Sequence, residues 1–248
     1  MRLLVSVRSG TEVNAAVSGG ADIIDAKEPD LGSLGPVSAE SFRGIAQQVP
    51  AHLVLSAALG DFADEEEVHA AVAGFPEIPR PTVLYLKLGF AGVSSVRRIR
   101  GLLQAACSAS RRRSLRSPAI IAVAYGDCDR AGTASPEEVW QAAAAAGAAG
   151  LLLDTQVKAH THLLDWVEPA RLRALIESAR AAGLLTAVAG GLGVEQLATV
   201  RRCYPDIVGF RGAVCAGGRS GRVSRSKVAR LRDCMGIGSG FVRAPRTA

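Results

Sequence analysis

Short apolar runs of about five residues recur along the chain, separated by longer Ala-, Glu- and Arg-rich stretches with helical spacing. The runs predict strands at Leu3–Val7, Asp22–Ala26, Leu53–Ala57, Val83–Lys87, Ala119–Ala124, Gly150–Asp154, Leu185–Ala189 and Asp206–Phe210. Strands that alternate with helices in this way are repeated βα units on a parallel sheet. Helix starts are legible between them. Ser9 or Thr11 opens the first, with Glu12 in its early turn, and Ser38 opens another. Asp64 to Glu67 places acids where a helix N-terminus favours them, and Ser135-Pro136-Glu137-Glu138 combines an N-cap, an N1 proline and an acidic first turn. Glycines before the next strand read as helix C-caps. Irregular structure is expected at Ser108–Ser117, at Ala159–Trp166 and in the tail from Gly236.

Eight such units in 248 residues match one closed barrel better than a doubly wound sheet. No break in composition marks two smaller domains. The expected fold is therefore α/β, a single-domain (β/α)8 TIM barrel over residues 1–235, with 236–248 as a flexible tail. Apolar residues make up 48% of the chain but aromatics only 4%, so Ala, Val and Leu carry the packing. No apolar segment approaches the roughly 20 residues that span a bilayer, and the N-terminus lacks a signal-peptide pattern. The five cysteines are odd in number and lack CxxC spacing, which points to a reduced, cytoplasmic protein without structural zinc. The net charge of +6 is scattered, and the Arg111–Arg113 cluster has no interleaved aromatics, which argues against nucleic acid. What remains for the charge is a solvated surface, or attraction of phosphorylated small molecules. Apolar outer helices would also suit a homo-oligomer.

The lysines alter this picture. Only four of the 29 basic residues are lysines: Lys27, Lys87, Lys158 and Lys227. Arginine stays protonated, whereas a desolvated lysine can act as a base or form an imine. Lys27 follows the second predicted strand and Lys87 ends the fourth. Alternation puts Asp25 with Lys27, and Tyr85 with Lys87, on one face. If that face is the interior, both ammonium groups reach the C-terminal mouth, where barrel enzymes build their sites. Asp154 ends the sixth strand and Lys158 follows it by one short turn. Like charges and burial would depress a lysine pKa, and Asp25 or Asp154 would oppose that. A lone lysine at a strand end can equally snorkel to solvent. Two lysines and an aspartate at three strand ends, in a chain that otherwise uses arginine, favour chemistry. Lys227 reads as a surface charge.

Glycine-rich loops follow the seventh and eighth predicted strands: Ala189-Gly190-Gly191-Leu192-Gly193, and Arg211-Gly212-Ala213 running on to Gly217-Gly218-Arg219. Their N–H groups, with Arg211, are phosphate-binding candidates in the usual place for this fold, although glycines also serve close packing. The loop Glu28–Gly35, with Ser33, either binds a second phosphate or caps the barrel. Asp127 either orients a lysine or caps a helix. His160, His162 and Asp165 read as a polar loop instead of a metal site, and Cys215 as a buried thiol.

These same strings carry a resemblance. LLVSVRSGTEVNAAVSGGADIIDAKEPDLGSLG, YLKLG, LLLDTQVK and VGFRGAVCAGGRSG resemble the (5-formylfuran-3-yl)methyl phosphate synthases, or 4-HFC-P synthases, of methanofuran biosynthesis. The likeness runs over nearly the whole chain, departing at Ala159-His160-Thr161-His162, where the family usually has an Asp/Gly-containing turn. It implies a metal-free, cofactor-free barrel, similar to class I aldolases, that condenses two glyceraldehyde 3-phosphates to a furan aldehyde phosphate. It also implies a Schiff base on Lys27, proton transfer by Lys87 and acid–base assistance from Asp154. Two alternatives stand beside it: another aldolase-like or phosphosugar synthase barrel, and a non-catalytic phosphometabolite-binding protein.

Overall fold

In the computed structural model, residues 1–78, 83–113, 117–157 and 161–236 are described. The order is β1 (Arg2–Val7), α1 (Gly10–Ser18), β2 (Ile23–Ala26), α2 (Ala39–Gln48), β3 (Val54–Asp61), α3 (Glu65–Ala73) and β4 (Leu84–Gly89). It continues with α4 (Val96–Arg111), β5 (Ala119–Tyr125), α5 (Cys128–Ala131), α6 (Pro136–Ala146), β6 (Gly150–Asp154), α7 (Pro169–Ala181), β7 (Leu185–Val188), α8 (Val194–Arg202) and β8 (Ile207–Phe210). A small antiparallel pair, β9 (Cys215–Ala216) and β10 (Arg222–Val223), and then α9 (Arg225–Cys234) complete it. Strands β1 to β8 are all parallel, and β8 pairs back onto β1, so the sheet closes. The expected barrel and all eight expected strands are present. Among the described residues no helix is long and apolar enough to cross a membrane.

Two boundaries differ from expectation by more than two residues. Strand β3 runs four residues past Ala57 because its pairing with β4 shifts register between Ala58 and Gly60 and then continues through Gly60 and Asp61. Helix α4 extends to Arg111, so the predicted irregular stretch starts later than Ser108. Ala109 and Ser110 are small enough to bury that last turn, and the Ser110 hydroxyl donates to the Pro118 carbonyl. Residues 114–116 of that stretch, Lys158, Ala159 and His160, and the tail from residue 237 lie outside the described residues.

Period-two alternation sorts each strand between two cores. Leu3, Val5, Val7, Ile24, Leu55, Leu86, Ala122 and Leu153 face outward and pack under the helices. Ile23, Ala58, Ile121, Val123, Leu152 and Ile207 fill the barrel. Helix α6 illustrates how sequence sets a helix. The Ser135 hydroxyl caps the Glu138 N–H, and the Glu138 carboxylate accepts from the Ser135 N–H at 2.9 Å. Gly147 ends the helix in the left-handed region, and Val139, Ala142, Ala143 and Ala146 form the buried stripe.

The loop after β2 does not simply ring the mouth. Its Leu34 is buried in the inner core, and the Ser33 hydroxyl donates to the Thr155 carbonyl, just beyond β6, at 2.7 Å. Strands β2 and β6 are diametrically opposed in an eight-stranded closure, so this loop is a strut across the barrel. Leu34 sits against Gly89, where an added Cβ would lie only 2.5 Å from Leu34 Cδ1 and 2.7 Å from the Tyr125 hydroxyl. The sector over β3 to β5 is thereby filled.

Replacing Ser135 with Ala should lower stability by about 1 kcal/mol, the usual loss for an N-cap. In a domain of this size that is a fall in Tm of roughly 2–4 °C, readable by calorimetry. An unchanged Tm would mean that solvent caps the helix equally well.

Candidate active site

The unfilled sector opens over β1, β2 and β6 to β8. It holds a cavity of about 460 Å³ lined by Lys27, Lys87, Asp25, Asp154 and Ser6 at depth, and by Gly190, Gly191, Arg211, Gly212, Ala213 and Arg219 toward the rim. Parallel register explains the convergence. Ser6, Asp25 and Ser56 are paired across β1, β2 and β3, and Ala58 is paired with Lys87, so all of them face inward. The small residues Ser56 and Ala58 on β3 leave room for Lys87 to reach across that strand to Asp25. Its Nζ donates to Asp25 Oδ2 at 2.7 Å and lies 2.7 Å from Oδ1, while the Ser6 hydroxyl donates to Oδ2 at 2.8 Å. Lys27, one alternation beyond Asp25, places its Nζ 3.9 Å from Asp154 Oδ2. Asp154 Oδ1 accepts from the Thr155 N–H at 2.7 Å. These four ionisable groups are each 6% exposed or less. Two buried lysines are thus matched by two buried carboxylates, which burial of charge requires.

The rim differs from expectation in one respect. Arg211 lines the cavity, but its donors are occupied within the protein. Nη1 donates to Glu12 Oε2 at 2.6 Å and to the Ser6 carbonyl, Nη2 to Glu12 Oε1 and the Gly221 carbonyl, and Nε to the Arg219 carbonyl. Arg211 is therefore an anchor for the loop and not a free anion hook. Ser33 has its hydroxyl on Thr155, and Gly217 and Gly218 sit in the β9–β10 turn; none of the three lines the cavity. By contrast, among the described residues the backbone N–H groups of Gly190, Gly191, Gly212 and Ala213 donate to no protein acceptor. Gly191 has a φ of 64°, and a Cβ there would lie 2.5 Å from the Thr161 carbonyl oxygen. Only glycine admits both that conformation and that approach.

Among the described residues, Asp127 neither orients a lysine nor caps a helix with its side chain. Its carboxylate accepts the Gln156 and Val157 N–H groups at 2.7 and 2.9 Å, so it shapes the chain that leaves β6. Lys227 is exposed, yet its Nζ donates to the Cys215 carbonyl. His162 lines the cavity mouth, with Nδ1 3.3 Å from Asp165. Tyr125 is fully buried; burial first, and then the bond to Asp61, push its phenol far above the ordinary range.

The roles of Glu12 and Arg219 escaped the sequence reading. An acid in a first helical turn looks like a dipole partner, and Arg219 is one of many arginines. Glu12 is a hub: besides Arg211 it accepts the Arg8 N–H at 2.8 Å and the Val223 N–H at 3.2 Å. Burial alone would raise its pKa, but the Arg211 and backbone bonds outweigh burial and lower it.

Comparison with known proteins agrees with this architecture. A profile of 4-HFC-P synthases matches residues 3–232. The chain belongs to the 4-HFC-P synthase family. It is 32% identical to the (5-formylfuran-3-yl)methyl phosphate synthase of Methanothermobacter thermautotrophicus, over 95% of this chain and 99% of that one. It is 35% identical to the enzyme of that name from Methanopyrus kandleri, over 89% and 92%. Among solved structures, phosphoribosyl anthranilate isomerase from Thermus thermophilus superposes with a TM-score of 0.62 at 18% identity, covering 95% of this chain and 98% of the other. 3-Hexulose-6-phosphate synthase from Salmonella typhimurium superposes at 0.61 and 18%, covering 95% and 100%. At that identity the structural likeness concerns the fold alone. The family match agrees with the resemblance carried by the strings around Lys27, Lys87, Asp154 and Arg211.

A carboxylate whose pKa is lowered on folding stabilises the native state above its unfolded pKa, and that share is lost as pH falls through the folded value. Glu12→Gln should therefore flatten the acid limb of stability below about pH 4.5, the ordinary glutamate value. It should also cost about 3–5 kcal/mol near neutrality by stranding a buried guanidinium. Urea unfolding at several pH values measures both. A loss below about 1 kcal/mol, with an unchanged acid limb, would remove Glu12 from the role assigned to it.

Proposed function

We propose that this chain is a (5-formylfuran-3-yl)methyl phosphate synthase that condenses two glyceraldehyde 3-phosphates through an imine on Lys27. The observation that carries this reading is the pair of buried lysines in one cavity, each beside a carboxylate. Atom balance gives one furan aldehyde phosphate, one inorganic phosphate and two waters from two trioses. In the proposed sequence the neutral Lys27 amine adds to a substrate carbonyl, and loss of water leaves an iminium. The iminium draws electrons from the adjacent carbon, so its C–H becomes acidic. Lys87, held by Asp25, moves that proton, and Asp154 serves the proton transfers at the Lys27 nitrogen and the hydroxyls that leave as water. The bare N–H groups of Gly190, Gly191, Gly212 and Ala213 would hold one phosphate, with Arg211 and Glu12 fixing their loop. Lys158 remains a candidate on sequence alone. Under this reading the chain acts in the cytoplasm on small phosphorylated substrates, as a carbon–oxygen lyase.

Purified protein incubated with glyceraldehyde 3-phosphate should release phosphate and yield the furan aldehyde phosphate by mass. Borohydride should trap a reduced adduct on Lys27 by peptide mapping. Lys27→Ala should give neither product nor adduct; full activity in that variant would end the imine mechanism. Lys87→Met should keep the adduct but lower kcat by about 10²–10⁴, the range for loss of a proton-transfer group. An adduct without furan would move the substrate to another carbonyl compound, while folded protein with neither adduct nor product would favour a binding protein.

A further inference from the structure

Two trioses carry two phosphates, and the amide cradle over β7 and β8 accounts for one. We propose that Arg219 holds the other, at a second anion subsite where the cavity meets the β2 loop; this rests on the condensation proposed above.

Arg219 is carried by the β9–β10 turn and lines the same cavity as Lys27 and Asp154. Its Nη2 donates to the Pro29 carbonyl at 3.2 Å and the Gly32 carbonyl at 2.7 Å, which aims the guanidinium. Among the described residues its Nε and Nη1 hydrogens meet no acceptor, and no carboxylate lies within ion-pair distance of it. Three N–H donors on a half-buried cation therefore remain for an anion. Burial pushes this guanidinium below the ordinary arginine range, with Asp154 opposing, so a negatively charged ligand would relieve an existing cost.

The turn that carries Arg219 is built to stay in place. Its backbone carbonyls at Arg219 and Gly221 accept from Arg211, and the Ser220 hydroxyl donates to Asp30 Oδ1 at 2.7 Å. Arg8 binds Glu28, Asp30 and the Ser220 carbonyl and so joins the turn to the β2 loop. Pre-set donors recognise phosphate without paying for loop ordering on binding. Arg211 and Arg219 thus divide the work expected of one residue: the first holds the loop, the second meets the ligand.

The test uses sn-glycerol 3-phosphate, which has the phosphate but no carbonyl and cannot form an imine. Calorimetric titration should find two sites on the wild-type chain and one on Arg219→Gln. In turnover, Arg219→Gln should raise the KM for glyceraldehyde 3-phosphate by about tenfold or more, with a smaller fall in kcat. Two sites retained in Arg219→Gln, or one in the wild type, would overturn the proposal. A purely structural latch would lower Tm without changing the number of sites. Should Arg219→Gln fail to fold, Arg219→Lys decides: weakening of the second site by about tenfold supports the subsite, and an unchanged affinity overturns it. Wild-type protein that binds two glycerol phosphates yet makes no furan would sink the proposed reaction and leave the subsite standing.

Discussion

The bond between Glu12 and Arg211 closes chemically what β1 and β8 close geometrically. One partner belongs to the first helix and the other follows the last barrel strand, 199 residues later. A barrel whose first and last strands meet needs that seam to be rigid, because the loops bearing its site lie on either side of it. A buried charge pair with every donor and acceptor satisfied does this in a way apolar packing cannot: it fixes direction as well as distance. Through the Ser6 and Gly221 carbonyls and the Val223 N–H, the pair sets the positions of β1, the β9–β10 hairpin and the loop at Gly212 together.

Polarity inside the barrel is graded. Its lower levels hold Leu4, Ile23, Ile121 and Ile207, and charge is admitted only at the upper level, with Asp25, Lys27, Lys87 and Asp154. Each ammonium there has a carboxylate on another strand, so the charges of these four groups balance without making the site apolar. The result is a set of four ionisable groups whose positions follow from strand register, the most reproducible coordinate a protein has. Small residues at Ser56 and Ala58 matter as much as the charges, since a large side chain there would separate Lys87 from Asp25.

Much of this was legible from the chain. Alternating apolar runs located the strands, and period two put Asp25 and Lys27 on one face. Lysines in an arginine-rich chain marked the cavity, because the chemistry that distinguishes the two residues is a local property of the side chain. The roles of Arg211, Ser33 and Asp127 were not legible in the same way. Each was read from a position along the chain, whereas its partner lies far away in sequence: Glu12 for Arg211, Thr155 for Ser33, and the Gln156 and Val157 amides for Asp127. Periodicity reports which way a residue points but not what it meets. The longer reach of α4 was missed for a related reason, since arginines following Ser110 look like loop until Ser110 is seen bonded to Pro118.

The strut from Ser33 to Thr155 bears on traffic. It crosses the barrel on a diameter, and Leu34 blocks the half over β3 to β5. Among the described residues, a mouth that could have been open on all sides is left open over β1, β2 and β6 to β8. For the condensation proposed above, two like molecules would have to queue. The first arrival would take the deep berth beside the lysines, and the second would stand between it and the exit. The order of the two partners would then be a matter of architecture, even though the substrates themselves are identical.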